Sequence, residues 1–329
     1  METVINFIKE RRQKSNKNKS MSLLSPGMKT ELFLIALLGL LIIFFSIRSE
    51  VFFTAGNLKT LTRQASIYGI IAIGMVVVIT SGGIDLSVGS VTGMAGIIAA
   101  MSMVSGLSIP VSIFIAIVVG VLIGLLNGIL VHDGKVPPFI ATLGTMTVVR
   151  ASIMLLTNAS MISGVPTEFR RVAQMEIFNV PFLFVVWLVI IVLAVFMTKK
   201  TVFGRNVYAL GSNKEAARLS GINIRKTTYG VYAFSGLVCS IAGILLTARL
   251  GNGVPTAGSG YELDAIAAAV VGGASLEGGS GSVVGTVLGS MIMATLRQGG
   301  VLLGVNSFML EMIIGSLIVI AVLLDKLRN

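Results

Sequence analysis

The chain of 329 residues is 54% hydrophobic and only 12% charged, with a mean hydropathy of +0.94 and a formal net charge of +11. Soluble globular chains carry about 25% charged residues, so an ordinary soluble domain is excluded. The basic residues do not form a nucleic-acid surface: they gather near the amino terminus, between Lys199 and Lys226, and at Lys326 and Arg328, where the positive-inside rule places cytoplasmic segments.

The first elements follow from hydropathy. Residues 1–29 read as a basic cytoplasmic tail, with Lys9, Arg11, Arg12, Lys14, Lys17, Lys19 and Lys29. The apolar run behind it ends at "FFSIRSEVFF" with no small-residue cleavage site, which predicts a retained first span. Windowed hydropathy predicts ten spans at approximately 30–47, 65–80, 86–105, 109–130, 136–157, 180–198, 228–248, 262–274, 282–298 and 307–325. The expected fold is all-α: a polytopic integral membrane protein of about ten transmembrane helices, with both termini cytoplasmic. Its single transmembrane domain runs over 30–325 with a cytoplasmic segment at 199–227, and 326–329 forms a second short tail. Alternation puts 158–179 outside, where Arg170 and Arg171 balance Glu168 and Glu176.

Glycines recur every four residues at Gly89 and Gly93, at Gly120, Gly124 and Gly128, and at Gly281, Gly285 and Gly289. That spacing puts them on one helix face and lets backbones approach, within one subunit or between two. "GGIDLSVGSVTG" (Gly82–Gly93) and "GGASLEGGSGSVVG" (Gly272–Gly285) are alike enough to suggest an internal repeat.

Motifs for chemistry are missing. "GILVHDGKV" lacks the glycine spacing and the hydroxyl residue of a phosphate loop, and "GGSGSVVG" does not follow a strand. His132 is the one histidine and reads as a solvated turn residue beside Asp133, with no metal expected. No serine, nor the single Cys239, has another histidine to serve as its base, so the chain is not expected to be an enzyme. Ion-coupled carriers bury ionisable groups at membrane depth. Here Glu31, Asp85, Glu262, Asp264, Arg297 and Glu311 fall near predicted span ends; only Arg150 lies deep in a span, either paired or touching substrate.

"GSNKEAARLSGINIRK" (Gly211–Lys226) interrupts the apolar pattern. Ser212 and Glu215 fit a capping box, Ala216, Ala217, Arg218 and Leu219 favour helix, and Gly221 suits the left-handed turn that closes it. So short a helix is unstable alone and must dock. Its small face of Ala216 and Leu219, rimmed by Lys214 and Arg218, suits either a groove on a soluble partner or the membrane surface.

These residues resemble the cytoplasmic coupling segment of bacterial ATP-binding-cassette importer permeases. The chain is similar in particular to the ribose-type monosaccharide permeases. The matching stretches are "GGIDLSVGSV", "GLLNGILV", "VPPFIATLGTM", "FGRNVYALGSNKEAARLSGI" and "YELDAIAAAVVGGASLEGGSGSVVGTVLG", in family order from Gly56 onward. The resemblance implies a permease in the bacterial inner membrane, paired with a second copy. It would work with a cytoplasmic ATPase subunit that uses ATP and Mg, and with an extracytoplasmic sugar-binding protein; this chain itself would bind no cofactor. Ser212, Asn213, Glu215, Ala216, Ala217, Arg218, Leu219 and Gly221 would form the ATPase-coupling site. Asp85 reads as part of a tight inner turn or of a helix break near the pathway. Asn127 needs a polar partner and suits either the pathway or an interhelical hydrogen bond; Thr142, Arg150 and Asn306 complete the pathway candidates. The sequence leaves two other readings open, a stand-alone ion-coupled sugar carrier and a non-transporting membrane scaffold or receptor component.

Overall fold

A computed structural model describes residues 26–328. The basic stretch before Pro26 and the final Asn329, assigned from the sequence to cytoplasmic tails, lie outside the described residues.

The order of elements is α1 (Pro26–Arg48), α2 (Ala55–Thr80), α3 (Val88–Val104), α4 (Ile109–His132), α5 (Pro138–Thr157), α6 (Thr167–Val172), the two-residue strands β1 (Glu176–Ile177) and β2 (Val180–Pro181), α7 (Phe182–Lys200), α8 (Val202–Ser212), α9 (Lys214–Leu219), α10 (Ile224–Leu250), α11 (Tyr261–Val271), α12 (Val283–Leu302) and α13 (Ser307–Arg328). The strands form one antiparallel hairpin, Glu176 opposite Pro181. Among the described residues everything else regular is helix, apart from an isolated antiparallel bridge between Ile162 and Gly253. Six helices, α1 (from Met28), α2, α4, α5, α7 and α10, are long and apolar enough to cross a membrane. Each predicted span falls on a helix, but the eighth is no full span: at 1.5 Å per residue, the 11 residues of α11 rise about 16 Å against a hydrocarbon core of about 30 Å.

Two boundaries depart from hydropathy for visible reasons. Helix α2 begins at Ala55 rather than near residue 65, because Thr54 caps it by accepting from the amide of Asn57 and its polar first turns continue the same helix. Helix α1 starts at Pro26, a residue suited to a first helical turn, so residues 26–29 are helix rather than tail.

The core is built around α2 and α10. Ile70, Ile71, Ile73, Met75, Val78 and Ile79 of α2 are all buried, so the helix is apolar all round because it is surrounded. Helix α10 packs on α2, α3 and α4. Its seam with α4 admits only glycine: a Cβ at Gly236 would collide with the carbonyl of Gly120, and one at Gly124 with the carbonyl of Tyr232. Gly289 likewise faces the Ala268 carbonyl of α11. The four-residue glycine spacing therefore serves packing within one chain.

The two similar glycine-rich stretches occupy corresponding places. One turns α2 into α3, the other turns α11 into α12, and they meet: the amide of Gly279 donates to the carbonyl of Thr80 at 2.9 Å. Between α10 and α11, residues 251–260 run back along α3. Gly253 lies against Ala100, the Ala257 carbonyl against Gly93, and Gly258 against Gly89. This is irregular backbone inside a helical bundle, tolerated where protein surrounds it.

Candidate functional site

The segment after α7 folds into two helices where the sequence predicts one. Thr201 caps α8 by accepting from the amide of Gly204 at 3.1 Å, and the Tyr208 hydroxyl donates to the Gly281 carbonyl at 2.7 Å, fixing α8 to the turn before α12. The predicted capping box does not form. Ser212 is the last residue of α8, so Asn213, in extended conformation, becomes the cap of α9 and its Oδ1 accepts from the amide of Ala216 at 2.9 Å. Glu215 does not reach back; its carboxylate accepts from Arg218 Nε at 2.9 Å, one turn on. Gly221, with φ of +81°, provides the left-handed turn that ends the helix.

Ala217 faces inward and packs with Leu210 and Ile224. That leaves Lys214, Glu215, Ala216, Arg218 and Leu219 outward, and Leu219 is 78% exposed. An exposed leucine between a small residue and an exposed ion pair is a knob with a charged rim, held by one buried alanine.

A second cluster fills the break between α2 and α3. Asp85 is 2% exposed. Its Oδ1 accepts from the amide and the hydroxyl of Ser87, at 2.9 and 2.6 Å, and its Oδ2 accepts from the Ser235 hydroxyl of α10 at 2.9 Å. Asn127 of α4 donates to Ser87 Oγ at 2.9 Å, and the Thr142 hydroxyl of α5 donates to the Ile84 carbonyl at 3.0 Å. The Tyr232 hydroxyl abuts Gly83. Asp85, Asn127 and Thr142, three of the predicted pathway residues, thus come together in one polar junction joining α4, α5 and α10 to the α2–α3 turn. The sequence missed Ser87, Ser235 and Tyr232, because a serine in an apolar helix carries no signal until its partner's place is known.

The other two pathway candidates part company. Asn306 is exposed and caps α13, its Oδ1 accepting from the amide of Phe308 at 2.8 Å, remote from the junction in role and contacts. Arg150 lies in the middle of α5 and donates from Nη1 to the carbonyls of Pro255 and Ala257 at 3.1 and 2.9 Å, pinning the irregular segment. The carboxylates expected near water at span ends need correction too. Asp85 is buried, and so is Asp264, 3% exposed and paired with Arg297 of α12 at 2.8 Å. The short α11 and the inward run of residues 251–260 carry Asp264 into the bundle. Glu176, counted in the charge balance of 158–179, forms its ion pairs with Lys59 and Arg63 of α2.

The junction and the α8–α9 corner share a cavity of about 630 Å³, lined by Gly83, His132, Lys135, Ser212, Lys214 and Tyr232 among others. Asp133, beside it, accepts hydrogen bonds from Tyr229 and Arg225, which hold its carboxyl below the usual carboxylate range.

A bundle of apolar helices, several long enough to span a bilayer, with a polar junction at a helix break and a capped, outward helix, has the architecture of a multi-pass membrane protein. Residues 57–323 match the family described as the branched-chain amino acid transport system / permease component, and the chain belongs to that family. It is 43% identical to the ribose import permease protein of Bacillus subtilis over 294 residues, 89% of this chain and 91% of that one. It is 42% identical to the ribose import permease protein of Escherichia coli K12, covering 90% of this chain and 93% of the other. The xylose transport system permease protein of Haemophilus influenzae is 37% identical, over 92% and 97%. No solved structure matches.

Proposed function

We propose that this chain is the membrane permease subunit of an ATP-driven importer for a monosaccharide, working in the bacterial inner membrane. The ten helices that carry the predicted spans, α1 to α5, α7 and α10 to α13, would form one domain with both termini cytoplasmic. The relatives at 43% and 37% identity, named for ribose and xylose, support a pentose-sized cargo. The observation that carries the mechanism is α9: a helix too short to stand alone, presenting Leu219 outward and fixed from behind by Ala217.

In this reading α9 sits in a groove of a cytoplasmic ATPase subunit, which binds ATP and Mg, while an extracytoplasmic binding protein delivers the sugar and a second copy of this chain completes the pathway. Closure of the ATPase moves α9 and α8; Tyr208 passes the movement to the α11–α12 turn, and the shared cavity wall passes it to the Asp85 junction. Asp85 and Thr142 act as that junction rather than as cargo contacts, since their oxygens are spent on protein partners; Asn127 joins it through its amide nitrogen, while its Oδ1 is buried without a partner among the described residues. The buried carboxylates remove one argument against an ion-coupled carrier, so the family and α9 carry the distinction.

The test is co-purification with the cognate ATPase. Leu219→Asp is expected to abolish capture of the ATPase while the permease still inserts, and Leu219→Met to preserve it. Equal capture by both would overturn the docking role.

A further inference from the structure

Between α5 and the segment that leads into α11 lies a second cavity, of about 380 Å³. That is within the range of about 300–1,000 Å³ usual for small-molecule sites. Thr147, Arg150, Ser259 and Glu262 supply its polar lining, and Met146 and Met154 its apolar walls. The two charged groups do not pair with each other: no ion pair joins them among the described residues. Arg150 spends Nη1 on the Pro255 and Ala257 carbonyls, and its other nitrogens make no hydrogen bond among the described residues. Glu262 accepts from the amide of Gly260 at 3.3 Å through Oε1, while Oε2 is buried without a partner, pressed against Gly89 where only glycine fits. Oε2 is thus turned onto α3 and sealed from accessible space, so a hydrogen bond from a molecule in the cavity falls to Oε1.

We propose that this cavity is a cargo contact site, in which Glu262 accepts hydrogen bonds from the hydroxyl groups of a passing sugar and Arg150 donates to them. The inference rests on the importer reading and names where, within it, the cargo is touched. One positive and one negative group make the lining formally neutral, which suits an uncharged polyol and disfavours an anion or a cation. A carboxylate accepts from neighbouring hydroxyls and a guanidinium donates in a fixed fork, so together they meet both capacities of a hydroxyl. The methionine walls suit the C–H faces of the ring and adapt to differing sugars. Because Arg150 also holds the carbonyls of residues 255 and 257, occupancy of the cavity bears directly on the irregular segment beside it. Both residues are named as contacts, and Glu262 is the one the sequence alone placed at a span end.

The experiment uses the assembled transporter in vesicles, with radiolabelled D-ribose and D-xylose as probes and binding-protein-stimulated ATP hydrolysis as a parallel readout. Glu262→Gln is expected to lower uptake about tenfold or more while ATP hydrolysis and co-purification persist. A second variant leaves Glu262 native: Thr147→Cys is read by a small polar thiol reagent, the native Cys239 being buried. Cargo-loaded binding protein should slow that labelling severalfold under turnover, relative to unloaded binding protein. Unchanged uptake by Glu262→Gln together with labelling indifferent to cargo would overturn the contact site and leave the importer reading standing. No ATP-dependent uptake of either sugar by the unaltered chain would overturn both.

Discussion

At the scale of single residues, the polar atoms inside the bundle carry the account. Asp85 takes three hydrogen bonds from neutral donors on its two oxygens, and losing both acceptors would strand the three buried donors at about 1–3 kcal/mol each. Asp85→Leu is therefore expected to lower the thermal midpoint of the detergent-purified protein by several degrees, with Asp85→Asn, which keeps one acceptor, falling in between. Asn213 makes a separate, local claim. Its side chain is the cap of α9, so Asn213→Ala should cost about 1 kcal/mol of local helix stability and reduce coupling, whereas Asn213→Asp should keep both; hydrogen exchange over residues 214–219 reads the first and uptake the second. Sequence reasoning singled out Asn127 and Thr142 because a polar residue in an apolar span demands a partner, and Asp85 because its glycine-rich stretch reads as a turn or helix break; the structure places all three around that break. It could not find Ser235, which is a common helix residue until α10 is known to pass the break. It chose Ser212 over Asn213 as the cap because both residue types cap well, and only the end of α8 decides between them.

At the scale of elements, helix existence was legible and helix depth was not. Apolar runs locate α1, α4, α5, α7 and α10 closely, since each is a long and strongly apolar helix. The run at 262–274 looks like a weak span and is a half-length helix, preceded by backbone that turns inward; hydropathy cannot separate a span from a buried half-span, because both are apolar. The four-residue glycine pattern was legible as close packing, and its partners needed the structure. Gly236 against Gly120 offers a simple test. Gly236→Val should separate α4 from α10 and cost about 1–3 kcal/mol or more, lowering the yield of folded protein. Gly144→Ala, on an open face with nothing within 4 Å, should be neutral; equal effects would contradict the packing account. Breaking the buried Asp264–Arg297 pair by Arg297→Met should be worse than either, about 3–5 kcal/mol.

At the scale of the whole molecule, the two similar glycine-rich turns meet each other beside α8, and the polar junction lies across a shared cavity from α9. Under the proposed function, that arrangement is what would give a cytoplasmic ATPase mechanical access to the centre of the bundle, which a passive scaffold does not need. The central claim is that transport runs through α9. The measurement is ATP-dependent uptake of labelled D-ribose or D-xylose into vesicles carrying this chain with its ATPase and binding protein, comparing the native chain with Glu215→Arg, which reverses the charge on the exposed rim without touching Ala217. The account predicts uptake that requires ATP and falls to background in the variant while the permease still inserts. Uptake that persists without the ATPase and follows an ion gradient, or that is indifferent to Glu215→Arg, would contradict it.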